Sequence, residues 1–136
     1  MIASGVADPP FARAAFAAFL AEAPVRIAVT GGCLAPAIVE GETVTLLGRA
    51  NRRPRWGDVV LCEMGGGLRL HRLVWSPPWG RWRTKGDRAL SCDPGIRPQQ
   101  VLGTVVRSAG GPLAPRRWLA ARSLASAVLH RLRPAA

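Results

Sequence analysis

Glycine and proline punctuate the middle of this chain into short β-branched runs. This favours strands and turns over a helical bundle, because glycine loosens a helix and proline breaks it. The 136 residues include 15 Gly and 12 Pro, and only the Ala-rich ends read as helical. The expected fold is mainly β, a coiled sheet core with flanking N- and C-terminal helices. One domain of this length buries roughly two-thirds of the surface its unfolded form exposes. Three segments follow from the pattern: an N-terminal helical segment 1–24, a β domain 25–109, and a basic amphipathic C-terminal helix within 110–136.

Strands are expected at 25–30, 43–47, 58–62, 68–74 and 101–106, with the third and fourth joined as a hairpin through Gly65-Gly66-Gly67. In the second arm Leu68, Leu70, Arg72 and Val74 share one face, and Arg69, His71, Leu73 and Trp75 the other. A helix over 8–22 starts with Asp8 as cap and Pro9 in its first turn, and gathers Phe11, Phe16, Phe19 and Leu20 on one side. Its run 14–21 superficially resembles a signal-peptide core, but no basic region precedes Asp8 and Pro24 follows at once. The C-terminal helix, 116–133, carries an apolar stripe of Trp118, Ala121, Ala125, Val128, Leu129 and Leu132 among arginines. No stretch of about 18 apolar residues offers a spanning helix.

The formal net charge is +11, and Lys85 is the single lysine among 19 Lys and Arg. Such an arginine bias suits phosphates, anionic headgroups or acidic peptides, and leaves one lysine for any mechanism that needs a lysine base. Three cysteines, Cys33, Cys62 and Cys92, cannot all pair within the chain, and no Cys/His spacing fits a zinc site. Neither a metal nor another cofactor is expected. A free thiol is easiest to keep in a reducing compartment, which points to the cytoplasm or a cytosol-facing membrane surface.

Chemistry concentrates at Gly31-Gly32-Cys33-Leu34-Ala35-Pro36-Ala37-Ile38, where two glycines and a proline hold a thiol in a tight bend after a strand. Glycines there also let the backbone N–H groups of Gly32 and Cys33 face a developing oxyanion. The bland alternative is a small buried cysteine in a Gly/Pro loop. A cysteine nucleophile needs a base, and of the two histidines His71 lies mid-strand while His130 falls in the surface helix. Asp87 and Asp93, in the loop after that strand, are the acids available to orient an imidazole, although aspartate is also common in turns for local reasons.

These boxes, with Gly41-Glu42, Gly57-Asp58-Val59-Val60, His71-Arg72-Leu73-Val74, Thr84-Lys85-Gly86-Asp87 and Gly103-Thr104-Val105-Val106, run in order across residues 25–107. Together they resemble the type I signal peptidase family. That resemblance implies a mostly β peptidase acting on secretory or precursor peptides. Its nucleophile motif is Gly-x-Ser-Met-x-Pro-x-Ile, with Cys33 standing at the Ser, Leu34 at the Met, and Pro36 and Ile38 matching; these three are the implied substrate-binding positions. The archaeal and endoplasmic-reticulum members use His followed by Arg as base, which matches His71-Arg72. An Asp beyond the Thr-Lys-Gly-Asp box then implies Asp93 in the triad, with Asp87 in support and Lys85 at an ordinary loop position.

The sequence departs from the family in its Cys33 and in lacking the usual N-terminal anchor, while the joint change to Cys and His is chemically coherent. The expected function is an endopeptidase for a precursor, leader or signal peptide, with peripheral membrane contact through the C-terminal helix. A noncatalytic peptide-binding module of the same fold is the first alternative. A basic nucleic-acid binder using the arginines and the Trp75–Trp82 aromatics is the second, without the pattern of a known nucleic-acid module.

Overall fold

The computed structural model describes residues 2–3, 10–64 and 67–132. The protein is mainly β, with one helix at each end, as the sequence pattern predicts. Its strands are β1 (Ile2–Ala3), β2 (Val25–Thr30), β3 (Thr43–Gly48), β4 (Val59–Met64), β5 (Gly67–Trp75), β6 (Arg83–Lys85), β7 (Val101–Ser108) and β8 (Gly111–Pro112). The helices are α1 (Pro10–Glu22) and α2 (Arg117–Leu132). One sheet runs in the order β1-β2-β3-β7-β4-β5-β6, with β8 paired to β7. Only the short β1–β2 pairing is parallel among those described. The expected hairpin forms with Val60 opposite His71 and Met64 opposite Gly67.

Register shifts at Thr45/Leu46, Leu61/Cys62 and Leu73/Trp75 bend the sheet so that both of its faces are covered. Strand β4 therefore alternates between two cores. Val59 and Leu61 join the larger one with Ile27, Leu34, Ile38, Val44, Leu46, Leu68 and Leu70. Val60, Cys62 and Met64 join the smaller one with Leu73, Ile96 and Val101. A strand buried on both faces reads as the continuous apolar run Val-Val-Leu-Cys rather than as an alternation.

Helix α1 begins at Pro10, so the expected cap Asp8 and Pro9 lie outside the described residues, as does the side chain of Phe11. Leu20 is buried and Phe16 packs on the core, but Phe19, expected on the same face, is exposed. Close approach of α1 to the sheet rests on Gly48 and Gly103, which are opposite each other on β3 and β7. A β-carbon at Gly48 would lie 2.4 Å from the Leu20 carbonyl oxygen.

The C-terminal helix packs on β5, but not through its apolar stripe. Its buried residues are Ala120, Ser123 and Ala127, small enough for a close approach to the sheet. Trp118, Val128, Leu129 and Leu132 face outward instead, with Trp118 80% exposed. The stretch 110–115, expected as a plain linker, contributes β8 before α2 starts.

Gly48→Ala should cost about 1–3 kcal/mol, the usual range for overpacking, because its new methyl group meets helix backbone that cannot rotate away. Gly110→Ala, which meets only the Ser108 hydroxyl at 3.8 Å, should stay within about 0.5 kcal/mol of wild type. Denaturant unfolding of both variants checks the contrast.

Candidate active site

The loop 31–42 leaves β2 and returns into β3, and its base is clamped by two backbone bonds. Val29 N–H donates to Glu42 O at 2.9 Å and Gly41 N–H to Val29 O at 2.8 Å. Gly31 and Gly41, both at φ +86°, make the reversals at either end. Within the loop Ala35 N–H donates to Gly32 O and Ile38 N–H to Leu34 O. Leu34 and Ile38 anchor it in the larger core. These two expected substrate contacts are thus buried supports of the turn, while Pro36 is exposed. Cys33, just before Leu34, is partly accessible, and a β-carbon at neighbouring Gly32 would meet nothing within 4 Å. Gly32, one of the two expected oxyanion donors with Cys33, is exposed.

His71 lies mid-strand on β5, the face it shares with Leu73, and its backbone is held by pairing with β4. Its Nδ1 meets Asp93 Oδ2 at 2.5 Å. The other ring nitrogen faces the thiol. A β-carbon at Gly86 would lie 2.9 Å from Cys33 Cβ and 3.4 Å from His71 Nε2, so both groups border the same small space. Cys33 is also a partner of the imidazole that favours its protonated form. Folding therefore unites Cys33, His71 and Asp93, which are far apart along the chain.

Asp93 is set by its own partners. Its N–H donates to Thr84 O at 2.9 Å, and the Thr84 hydroxyl donates to Asp93 Oδ2 at 2.7 Å. Arg69 Nη1 stands 3.9 Å from the other carboxylate oxygen. Thr84 is a positioning residue that the sequence reading passes over, although it belongs to the Thr-Lys-Gly-Asp box. Gly86 is another: only a residue without a side chain lets the chain just after β6 run so close to both Cys33 and the His71 ring, while Arg88 N–H fixes the Cys33 carbonyl at 3.1 Å.

Of the two acids open to orienting the imidazole, Asp87 takes only a supporting place in the loop. Its carboxylate does not meet the imidazole; it accepts a two-pronged bond from Arg72, Nε to Oδ1 at 2.8 Å and Nη2 to Oδ2 at 2.9 Å. Arg72 is fully buried and also donates to Gly57 O at 2.8 Å. This pair fixes the loop's start, as Asp93 fixes its end. Lys85 likewise is no ordinary loop residue. It ends β6 opposite Arg72, is 2% exposed, and its Nζ donates to Ser123 Oγ of α2 at 2.9 Å. Burial pushes the Lys85 ammonium down from its ordinary value.

Electrostatics separate the cysteines. Burial pushes Cys62 up to about 12, assisted by the charge of Asp93, and burial also raises Cys92. For His71 burial opposes the charged form, but the Asp93 bond, the Cys33 bond and the charges of both prevail and raise it to about 9. An imidazolium beside a thiol stabilises the thiolate, and the thiolate is the nucleophile. The arrangement can therefore move a proton between sulfur and ring with the ring held in one orientation.

No protein-family model and no curated protein sequence matches this chain.

Limited iodoacetamide at neutral pH should modify Cys33 well before Cys62 or Cys92, as read by mass spectrometry of peptides. The preference should disappear in denaturant. Equal rates at all three in the folded protein would show that the imidazole does not activate the thiol.

Proposed function

We propose that the protein is an endopeptidase of the signal-peptidase type, which cuts a precursor, leader or signal peptide through a Cys33–His71–Asp93 centre. The observation that carries this reading is the ring of His71, tied to Asp93 at Nδ1 and bordering Cys33 at Nε2. A merely structural histidine has no need of a thiol at the one nitrogen its carboxylate leaves open.

In the reaction, the Cys33 proton passes to His71 Nε2 and the sulfur attacks the peptide carbonyl carbon. The carbonyl electron pair moves onto oxygen, where the N–H groups of Gly32 and Cys33 stabilise it. Collapse breaks the C–N bond as His71 returns its proton to the leaving amine, leaving a thioester. His71 next takes a proton from water, the resulting hydroxide attacks the thioester, and the second tetrahedral species expels the sulfur, which regains the proton. Asp93 remains a carboxylate and holds the ring in the tautomer that this exchange requires.

The exposed side of α2 supports placing this reaction at a bilayer surface. Trp56, Trp75 and Trp79 border a groove of about 750 Å³ with Leu124, Val128 and Leu129, and Trp118 and Leu132 extend the apolar surface. Arg117 and Arg131 lie near its ends. Tryptophan and leucine beside arginine suit an interface rich in anionic lipid. No helix among the described residues is long and apolar enough to cross a membrane.

Cys33→Ala and His71→Ala should each lower cleavage of a precursor peptide by about 10³-fold or more; cleavage at the wild-type rate by either would refute the centre. The His71 pKa predicts an alkaline limb near pH 9 in the rate profile, since the imidazolium needed to protonate the leaving amine disappears as pH rises through that value. Because the folded value exceeds the ordinary value of about 6.5, its stabilising contribution is complete below about 6.5 and is lost as pH rises through about 9. Asp93→Asn should cost about 10²–10⁴ in kcat and move the alkaline limb to lower pH. Sedimentation with phosphatidylglycerol vesicles should exceed that with phosphatidylcholine and fall in a Trp79→Ala/Trp118→Ala double variant; no preference would remove the bilayer from the proposal.

A further inference from the structure

On the opposite side of α2 from the tryptophans lies a second groove, of about 780 Å³, and its chemistry is different. One wall is Ala35, Pro36 and Ala37, which begin two residues after Cys33, together with the Asp87–Leu90 segment. The other is one face of the helix and its approach, Arg116, Leu119, Arg122, Ser123 and Ser126, spaced three or four residues apart. The two walls are fixed to each other through Lys85 and Ser123. Arg88, which lines the groove, donates its N–H to the Cys33 carbonyl at 3.1 Å, so the groove adjoins the backbone of the thiol residue.

Arg88, Arg116 and Arg122 are exposed there, and among the described residues none of them makes an ion pair. Asp87, the one acid in the lining, has its carboxylate engaged by Arg72. The first turn of α2 contains no acidic residue either, so the positive end of the helix dipole adds to the same field. A groove with several guanidinium groups and no available carboxylate is built for anions, and guanidinium matches a carboxylate in a two-pronged geometry.

Resting on the peptidase reading above, we propose that this groove selects acidic precursor peptides: glutamate or aspartate side chains flanking the cut site pair with Arg88, Arg116 and Arg122. A peptide fits better than a nucleic acid because the lining has no aromatic side chain on which a base could stack. Trp56, Trp75 and Trp79 border the other groove, and Trp118 stands outside this lining, beside Arg122 on the outer face of the helix.

The test uses the full chain carrying Cys33→Ala and fluorescein-labelled Ala-rich peptides that differ only in Glu, Gln or Lys at the same positions. Fluorescence anisotropy should give the Glu peptide the highest affinity, at least about tenfold above the Gln peptide. Each of Arg88→Gln, Arg116→Gln and Arg122→Gln should weaken Glu-peptide binding about two- to fivefold, as for exposed ion pairs, and leave the Gln peptide unchanged. Arg26→Gln and Arg107→Gln, on β2 and β7, lower the net charge equally and should have little effect. The proposal is overturned if Glu and Gln peptides bind alike, if the distant arginines matter as much, or if single-stranded DNA binds more tightly through the same three arginines. Cleavage by the wild-type chain separates the two readings. Arginine-dependent binding without any cleavage upholds the groove and refutes the peptidase, whereas equal kcat/KM on Glu and Gln peptides refutes the groove and upholds the peptidase.

Discussion

Two neighbouring residues of β5 hold the loop that carries the acids, one from each face of the sheet. Arg72, with no exposed surface, takes Asp87 at the loop's beginning, and His71 takes Asp93 at its end. Strand alternation sends adjacent side chains to opposite faces, so the loop must pass around the end of β6 to reach both. Breaking a buried pair such as Arg72–Asp87 by removing one partner typically costs about 3–5 kcal/mol, because the remaining charge stays buried. Gly86, next to Asp87 in that loop, lies against both Cys33 and the His71 ring, so the same pair holds the chain that borders the two groups.

The centre is dry enough to matter and open enough to work. His71 is held by the pairing of its backbone with β4 and by Asp93, yet the space next to Gly32 is clear. A serine in place of Cys33 would depend on the base to remove its proton at the moment of attack, whereas a thiol can transfer its proton to the ring beforehand. The raised His71 value comes first from the Asp93 bond and then from Cys33, which together outweigh burial.

Helix α2 divides the molecule's remaining surface by chemistry. Its inner face is small and buried, one flank carries Leu124, Val128 and Leu129 toward three tryptophans, and the other carries Arg122 and Ser126 toward the thiol loop. On the proposed reading, an apolar surface and an anion-seeking groove on either side of one helix would hold an acidic peptide near Cys33 while the protein rests on a bilayer.

Much of the sheet was legible because its signals are local. Gly65-Gly66-Gly67 between two apolar runs specifies the β4–β5 hairpin, and Gly31 through Ile38 specifies a bend after β2, since turn chemistry and β-branched runs act within a few residues. The pairing of His71 with Asp93 rather than Asp87 was not readable from spacing, as both acids lie in the same loop. It depended on Arg72 capturing the nearer one. Likewise, periodicity located the apolar stripe of α2 but gave it no direction; the sheet accepted Ala120, Ser123 and Ala127 because only small side chains let the helix approach. The amino-acid order by itself determined where strands, bends and reactive side chains occur, because those follow from neighbours along the chain. Which carboxylate meets the imidazole, that Lys85 is buried against Ser123, and which face of α2 stays outside were decided only by tertiary structure, because each depends on contacts between segments the chain keeps far apart.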